Sequence, residues 1–212
     1  MQGIAIKRLG HNVTILEQHL SATREGQAAG IVTMEHSHAF MTRHDLLKEQ
    51  PYTIDCSTVQ ILDKNLEVLH KFNRPMRMSS WNVLYYRFRA NFDGLKSAYC
   101  PGPPSEPTAS GRAVYDQGKR VTNVHEVGDT IELEYNDMIS KTPGRIKADI
   151  VIVADGSNSY LRGLLQSHLH HTYAGYVAWR GTVPEEKVAR QTRDLLENKT
   201  TLHTAPNGYI AL

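Results

Sequence analysis

Three features of this 212-residue sequence predict an α/β fold built on an incomplete Rossmann-like unit. The stretch GIAIKRLG, followed by Val13-Thr14-Ile15-Leu16 and then Glu17, reads as a short helix closed by glycine, a β-branched strand and an acid. That order is the second half of a βαβ unit. Further on, Asp149-Ile150-Val151-Ile152-Val153-Ala154 carries a continuous apolar run, which suits a strand covered on both faces, and it ends in Asp155-Gly156. The third feature is a gap in the pattern. The first strand and the G-x-G-x-x-G turn that open such a unit do not stand before Gly3, so the unit is expected to be incomplete.

Hydrophobic residues make up 40% and charged residues 22%, ordinary globular usage that predicts a buried core rather than disorder. A net charge of +2, with Lys and Arg scattered along the chain, speaks against a nucleic-acid partner. Cys56 and Cys100 lack C-x-x-C spacing and read as two reduced thiols. No segment approaches the ~18 apolar residues of a membrane span. The N-terminus, MQGIAIKRLGH, lacks the order of a signal peptide. A soluble, cytoplasmic protein is the expectation.

Each element has a local reason. Ile4, Ile6 and Leu9 fall on the first helix, and Gly10 takes the position just past its end. Residues 21–41, small and polar with Gly26 and Gly30, predict a loop. Thr42 is placed to cap a short helix over 43–49, stopped by Pro51. Alternation at Val59, Ile61, Leu66 and Val68 predicts two strands around Asp63-Lys64-Asn65. Ser80 precedes a helical pattern with Leu84, Phe88, Asn91 or Phe92, and Leu95 on one face.

The prolines and glycines of 99–112 predict a loop and a seam. Beyond it, 121–127 and 131–135 flank Gly128-Asp129, a hairpin signal, and Ile131, Leu133 and Tyr135 alternate with Glu132 and Glu134. Ser157 or Ser159 is placed to cap a helix leading to Leu165. Pro184, with Glu185 and Glu186 behind it, starts a helix running to about Lys199, and Ile210-Ala211-Leu212 end the chain within a strand.

Four groups of residues bear on chemistry. Glu17 stands where an acid accepts hydrogen bonds from a ribose, although a charged residue at a strand end needs no ligand. Asp155-Gly156 follows a strand and opens a helix, where glycine lets backbone approach a phosphate; Asp155 as a plain helix cap is the alternative. YAGYVAWRG, residues 173–181, suits an aromatic pocket or a buried ion pair of Arg180, and Tyr176 and Trp179 are expected to pack inside. The histidines of His168-Leu169-His170-His171 and His36-Ser37-His38 lack a third ligand at metal spacing, so no metal is expected. Neither G-x-S-x-G nor a P-loop occurs, which gives a hydrolase or NTPase little support.

Four stretches together resemble the flavin-dependent aromatic hydroxylases, the single-component FAD monooxygenases, and most nearly their 2,6-dihydroxypyridine 3-monooxygenase-like and salicylate hydroxylase-like branch. They are GIAIKRLGHNVTILEQ (3–18), SSWNVLYYRFRANFDGL (79–95), ADIVIVADGSNSYLR (148–162) and YAGYVAWRG (173–181). The resemblance implies an FAD/NAD(P)-binding Rossmann-like domain, lacking its first strand and G-x-G-x-x-G, with the start of an α+β substrate domain. In those terms 1–60 is a partial FAD-binding βαβ region and 61–78 are substrate-domain strands. Residues 79–172 continue the FAD-binding domain with the hairpin and the Asp-Gly motif, and 173–212 start the substrate-binding domain.

The same resemblance implies Glu17 and Gln18 at the adenosine ribose of FAD, and Asp155, Gly156, Ser159 and Arg162 beside the pyrophosphate and the NAD(P)H approach. The family usually begins the helix after Ser80 with an Arg; Trp81 stands there, with Arg87 and Arg89 as substitutes. Val153 replaces a glycine common before Ala-Asp-Gly. The implied reaction uses NAD(P)H and O₂ to hydroxylate a small, electron-rich aromatic ring, while the protein excludes water and orients the ring. No catalytic base is identified.

By the resemblance the G-x-G-x-x-G loop lies before Met1 and a Gly-Asp motif beyond Leu212, so the chain is expected to be a fragment. Losing several charge-assisted hydrogen bonds, ~1.5–3 kcal/mol each, would remove much of its FAD affinity and leave it inactive. The alternative is a non-catalytic pseudoenzyme or incomplete gene product that acts by association, as in a homodimer, through unpaired sheet edges.

Overall fold

The computed structural model of the protein describes residues 1–21, 30–179, 181–205 and 208–212. Gly26 and Arg180, both named above, lie outside the described residues. In chain order the elements are α1 (Gln2–Arg8), β1 (Val13–Glu17), β2 (Gly30–Thr33), α2 (Glu35–His44), β3 (Ile54–Leu62) and β4 (Val68–Ser80). There follow α3 (Trp81–Asp93), β5 (Ala113–Gln117), β6 (Lys119–Val127), β7 (Thr130–Asp137), β8 (Pro143–Ala148) and α4 (Tyr160–Leu165). A 3-10 turn (Glu185–Lys187), α5 (Arg190–Leu196), β9 (Lys199–Ala205) and β10 (Gly208–Ala211) complete the chain. It divides into two compact units, one of residues 1–5, 25–108 and 180–212, the other of 6–24 and 109–179. No helix among the described residues is long and apolar enough to cross a membrane.

The first unit is a five-stranded sheet in the order β10-β9-β3-β4-β2, with β3 and β9 parallel and the other pairs antiparallel. Its centre is β3, whose Cys56, Val59, Gln60 and Leu62 are buried. The amide of buried Gln60 is satisfied by the Leu195 carbonyl at 2.8 Å and the Thr201 hydroxyl at 2.9 Å, as a buried polar group requires. The turn expected around Asp63-Lys64-Asn65 forms because the Asp63 carboxylate accepts from the amides of Asn65, 2.8 Å, and Glu67, 2.9 Å. β4 is longer than the alternation suggests, and it runs through Pro75. A shift of register between Cys56 and Thr58 lies opposite the proline, where a missing N–H breaks the ladder.

Ser80 ends β4 and caps α3, its hydroxyl accepting from the Val83 amide at 3.3 Å, and Gly94 at φ 73° closes the helix. The buried face of α3 matches the expected one only in part: Asn91 and Phe92 are buried, but so are Tyr86, Arg87, Arg89 and Ala90, while Leu84 and Phe88 are half-buried. The loop expected over 21–41 is corrected too. It holds β2, paired with the end of β4, and most of α2. The helix expected over 43–49 lies earlier, because Asp45 turns extended at φ −84°, ψ 125° and turns its carboxylate to Arg87.

In the second unit α1 ends as expected. Gly10, φ 91°, donates to the Lys7 carbonyl at 2.9 Å and His11 to Ile6 at 3.4 Å, the paired bonds of a Schellman closure. The chain then enters β1, which pairs in parallel with β5, Val13 opposite Ala113 and Glu17 opposite Gln117. The expected hairpin is β6–β7 about Gly128, φ 60°, and β8 adds a third antiparallel strand that sequence did not suggest.

Three further expectations fail here. The run 149–154 is not a strand: Ile150, Ile152 and Val153 are exposed, and an apolar run becomes a strand only where neighbours take its backbone groups. Tyr176 and Trp179 are exposed rather than packed, Trp179 by 92%. The helix expected from Pro184 to about Lys199 is broken at Val188-Ala189, where Val188 and Ala189 are extended, and Lys199 already belongs to β9.

Candidate functional site

Two groups of candidate residues lie in the second unit. Glu17 is the last residue of β1, so the parallel ladder fixes its backbone. One carboxylate oxygen accepts from the His19 amide at 2.9 Å and the other from the Tyr115 hydroxyl at 3.4 Å. A carboxylate at the end of a strand is an acceptor of the kind that suits the hydroxyls of a ribose. Gln18 follows it, exposed.

The start of β1 is tied to that of β5 by backbone. Val13 donates to Arg112 at 2.8 Å, Gly111 donates to Lys7 at 2.8 Å, and the Asn12 side chain accepts from the Arg112 amide at 2.9 Å. Tyr115 was not visible as a partner of Glu17 from sequence, because β5 is identified only by its ladder with residues about one hundred positions earlier. Its β-branched and aromatic pair, Val114-Tyr115, was the available signal.

The second group is one self-bonded turn. Asp155 accepts from the Tyr160 amide at 3.1 Å, and Gly156 adopts φ 85°, a conformation that favours glycine. Ser159 caps α4 by accepting from the Arg162 amide at 3.0 Å. Arg162 reaches back, donating to the Gly156 carbonyl at 3.4 Å and to the Ser157 carbonyl. The structure therefore brings Asp155, Gly156, Ser159 and Arg162 together around one open pocket, with Val153 and Leu165 on its wall. Nothing lies within 4 Å of where a Gly156 Cβ would stand, so a bulky anionic ligand has room against the backbone.

Arg87 and Arg89 are elsewhere, on α3 in the first unit. Arg87 donates from Nε to Asp45 at 2.7 Å and to the Leu47 carbonyl, and it lies 5.1 Å from the Tyr52 ring centroid. Arg89 holds Asp93 through Nε and Nη2, the latter at 2.7 Å, and the Tyr85 hydroxyl through Nη1 at 2.9 Å. Their guanidinium groups are committed to partners within the unit. Trp81, at the head of the same helix, stacks on Tyr85.

The adenosine end of a flavin dinucleotide fits what is present: a carboxylate at the carboxyl end of a strand in a parallel pair, and a glycine turn open to a phosphate. A family model for FAD binding domain-like sequences matches residues 173–212. The chain is 28% identical over 96 residues to the 2,6-dihydroxypyridine 3-monooxygenase of Paenarthrobacter nicotinovorans, covering 45% of this chain and 23% of the relative. Its fold matches the structure of 2,6-dihydroxypyridine-3-hydroxylase from Arthrobacter nicotinovorans with a TM-score of 0.75 at 21% identity, over 99% of this chain and 47% of that one. It also matches p-nitrophenol 4-monooxygenase from Pseudomonas putida with a TM-score of 0.58 at 16% identity, over 77% of this chain and 40% of that one. The chain thus spans less than half the length of these relatives. Its similarity, in the matched segment and in fold, is to FAD-dependent aromatic monooxygenases.

Proposed function

We propose that the chain carries part of the FAD site of a monooxygenase that hydroxylates a small aromatic ring with NAD(P)H and O₂. The carrying observation is Glu17, an acid fixed by the β1–β5 ladder with both carboxylate oxygens already oriented by His19 and Tyr115. In this reading Glu17 accepts hydrogen bonds from the adenosine ribose, with Gln18 beside it. Asp155 and Gly156 present the turn near the pyrophosphate, Ser159 holds the start of α4, and Arg162 keeps the turn closed. Bound FAD would supply the redox chemistry, passing electrons from NAD(P)H to oxygen.

Arg87 and Arg89 enter this reading as substitutes for a nucleotide-contacting Arg at the head of α3, where Trp81 stands; their pairs with Asp45 and Asp93 set the positions from which they act. In this reading 1–60 and 79–172 carry the FAD-binding part and 61–78 with 173–212 the substrate domain, with the five-stranded sheet drawing β2 and β3 of the first stretch in beside β4, β9 and β10. The protein works in the cytoplasm. The names of the matched relatives, a dihydroxypyridine and a nitrophenol monooxygenase, favour a hydroxylated or nitrated six-membered ring as substrate.

The test separates binding from turnover. The purified chain is titrated with FAD while flavin fluorescence and the visible spectrum are followed, and NADH oxidation with 2,6-dihydroxypyridine is measured apart. Saturable quenching that Glu17→Gln and Asp155→Asn each weaken supports the reading. Binding indifferent to both substitutions, or none at all, overturns it.

A further inference from the structure

Four aromatic rings in the first unit form an unbroken file. Trp81 and Tyr85, one helical turn apart on α3, stack with centroids 4.7 Å apart and planes at 13°. Tyr85 meets Tyr86 edge-on at 5.1 Å and 76°. Tyr86 in turn stacks on Tyr99 at 5.2 Å and 8°. Tyr99 comes from the loop after α3, which is pinned there: Ser97 and Cys100 exchange backbone bonds of 3.1 Å each, and the Ser97 hydroxyl accepts from the Cys100 amide at 3.1 Å. The pin is buried and the ring is not, for Cys100 is 1% exposed and Tyr99 45%.

We propose that these rings conduct an oxidising equivalent from Trp81, through Tyr85 and Tyr86, to Tyr99 at the surface. Rings in near contact exchange electrons faster than side chains separated by saturated groups, and indole and phenol are the side chains most readily oxidised by one electron in a chain whose two cysteines are both buried. The polar contacts give the file a direction. The Tyr85 hydroxyl accepts from the Arg89 guanidinium at 2.9 Å, and a positive charge beside the phenol disfavours an oxidised ring there. Tyr99 accepts from the Asn82 amide at 3.3 Å and faces water, which takes its proton.

The step balances as follows. A peroxyl-type radical takes an electron together with the indole N–H proton from Trp81, becoming a hydroperoxide and leaving a neutral indolyl radical. One electron then travels from Tyr99 to Trp81, which regains a proton from water as Tyr99 releases its own. Trp81 is restored and Tyr99 is a phenoxyl radical, which a soluble hydrogen-atom donor such as a thiol returns to the phenol. The conduit belongs to this chain's own residues and stands whether or not FAD binds.

The experiment uses the full chain carrying Trp179→Phe, which leaves Trp81 as its one tryptophan. Azide radicals made by pulse radiolysis oxidise the indole, and the indolyl and tyrosyl absorptions are followed in time. The expected result is a first-order conversion of indolyl to tyrosyl radical, at a rate independent of protein concentration. Tyr99→Phe keeps every ring in place and removes only the terminal hydroxyl; it should suppress the tyrosyl growth and prolong the indolyl radical severalfold. Tyr160→Phe, outside the file, should change nothing. A conversion that scales with protein concentration, or one that Tyr99→Phe leaves intact, overturns the proposal.

Discussion

Arg87 grips Asp45 with Nε at 2.7 Å and Nη2 at 2.6 Å, and both side chains are almost wholly buried, at 3% and 5% exposure. The remaining valences are filled. The other Asp45 oxygen accepts from the Leu47 amide at 3.1 Å and from the Asn91 side chain at 2.8 Å. A buried pair this complete is costly to break, because the surviving charge has no water to turn to. Asp45→Asn should therefore destabilise the chain by about 3–5 kcal/mol. Asn91→Ala, which leaves the charges paired, should cost about 1–3 kcal/mol. Urea titrations of the two variants against the parent check the order; equal losses would mean the ion pair carries no special weight.

A second expectation concerns glycines near the junction of α1, β1 and β5. A Cβ on Gly111 would stand 2.1 Å from the His11 carbonyl oxygen, which is backbone and has no rotamer to escape through. At Gly10 the nearest atom to a Cβ is 3.5 Å away, so only its φ of 91° resists substitution. Gly10→Ala should cost roughly 1–2 kcal/mol, the penalty of a left-handed alanine. Gly111→Ala should cost clearly more, since β1 and β5 must part. Thermal melts of both variants decide the matter, and a milder effect at Gly111 would show that the strands yield easily.

The parts legible in the sequence are those with local causes. Gly10 after α1, Asp63 in its turn, Ser80 before α3 and Gly128 in its hairpin each act within a few residues, and each is where it was expected. β2 and β5 went unseen because their partners are distant: Gly30 pairs with Ser80, and Val13 with Ala113. The pairing of Arg87 with Asp45, forty-two positions earlier, was likewise not legible, because nothing local to Arg87 marks that partner. The run 149–154 fails in the opposite sense. Its composition is that of a buried strand, but composition cannot provide the neighbour that a ladder needs.

The Lys119–Asp137 contact, 2.6 Å long, predicts a pH response. The Lys119 ammonium first, and the amides of Ile139 and Ser140 after it, hold the Asp137 carboxyl well below the usual carboxylate range. A carboxyl depressed on folding contributes stability at pH values above its unfolded pKa and loses it as pH falls through the folded one. The Lys119 ammonium, raised chiefly by its bond to Asp137, contributes below its unfolded pKa and loses that contribution as pH climbs through the folded value. The difference in urea midpoint between the parent and Asp137→Asn should thus be steady from neutrality down to about pH 4 and shrink below it. A difference that grows on acidification would contradict the contact.

The last prediction bears on Glu17, whose two oxygens accept from the His19 amide and the Tyr115 hydroxyl. Tyr115→Phe removes one of those orienting bonds without touching the charge, whereas Glu17→Gln removes the charge and keeps the shape. If a ribose is read there, Glu17→Gln should weaken FAD by about 1.5–3 kcal/mol, the worth of a hydrogen bond to a charged group. Tyr115→Phe should weaken it less, by about 0.5–1.5 kcal/mol, since a neutral bond is lost and the carboxylate remains. Adenosine diphosphate, which has the ribose and lacks the flavin, should compete with FAD in the parent and lose the same increment in Glu17→Gln. Should the substitution weaken FAD while sparing adenosine diphosphate, Glu17 would act on the flavin half of the ligand instead of the adenosine half.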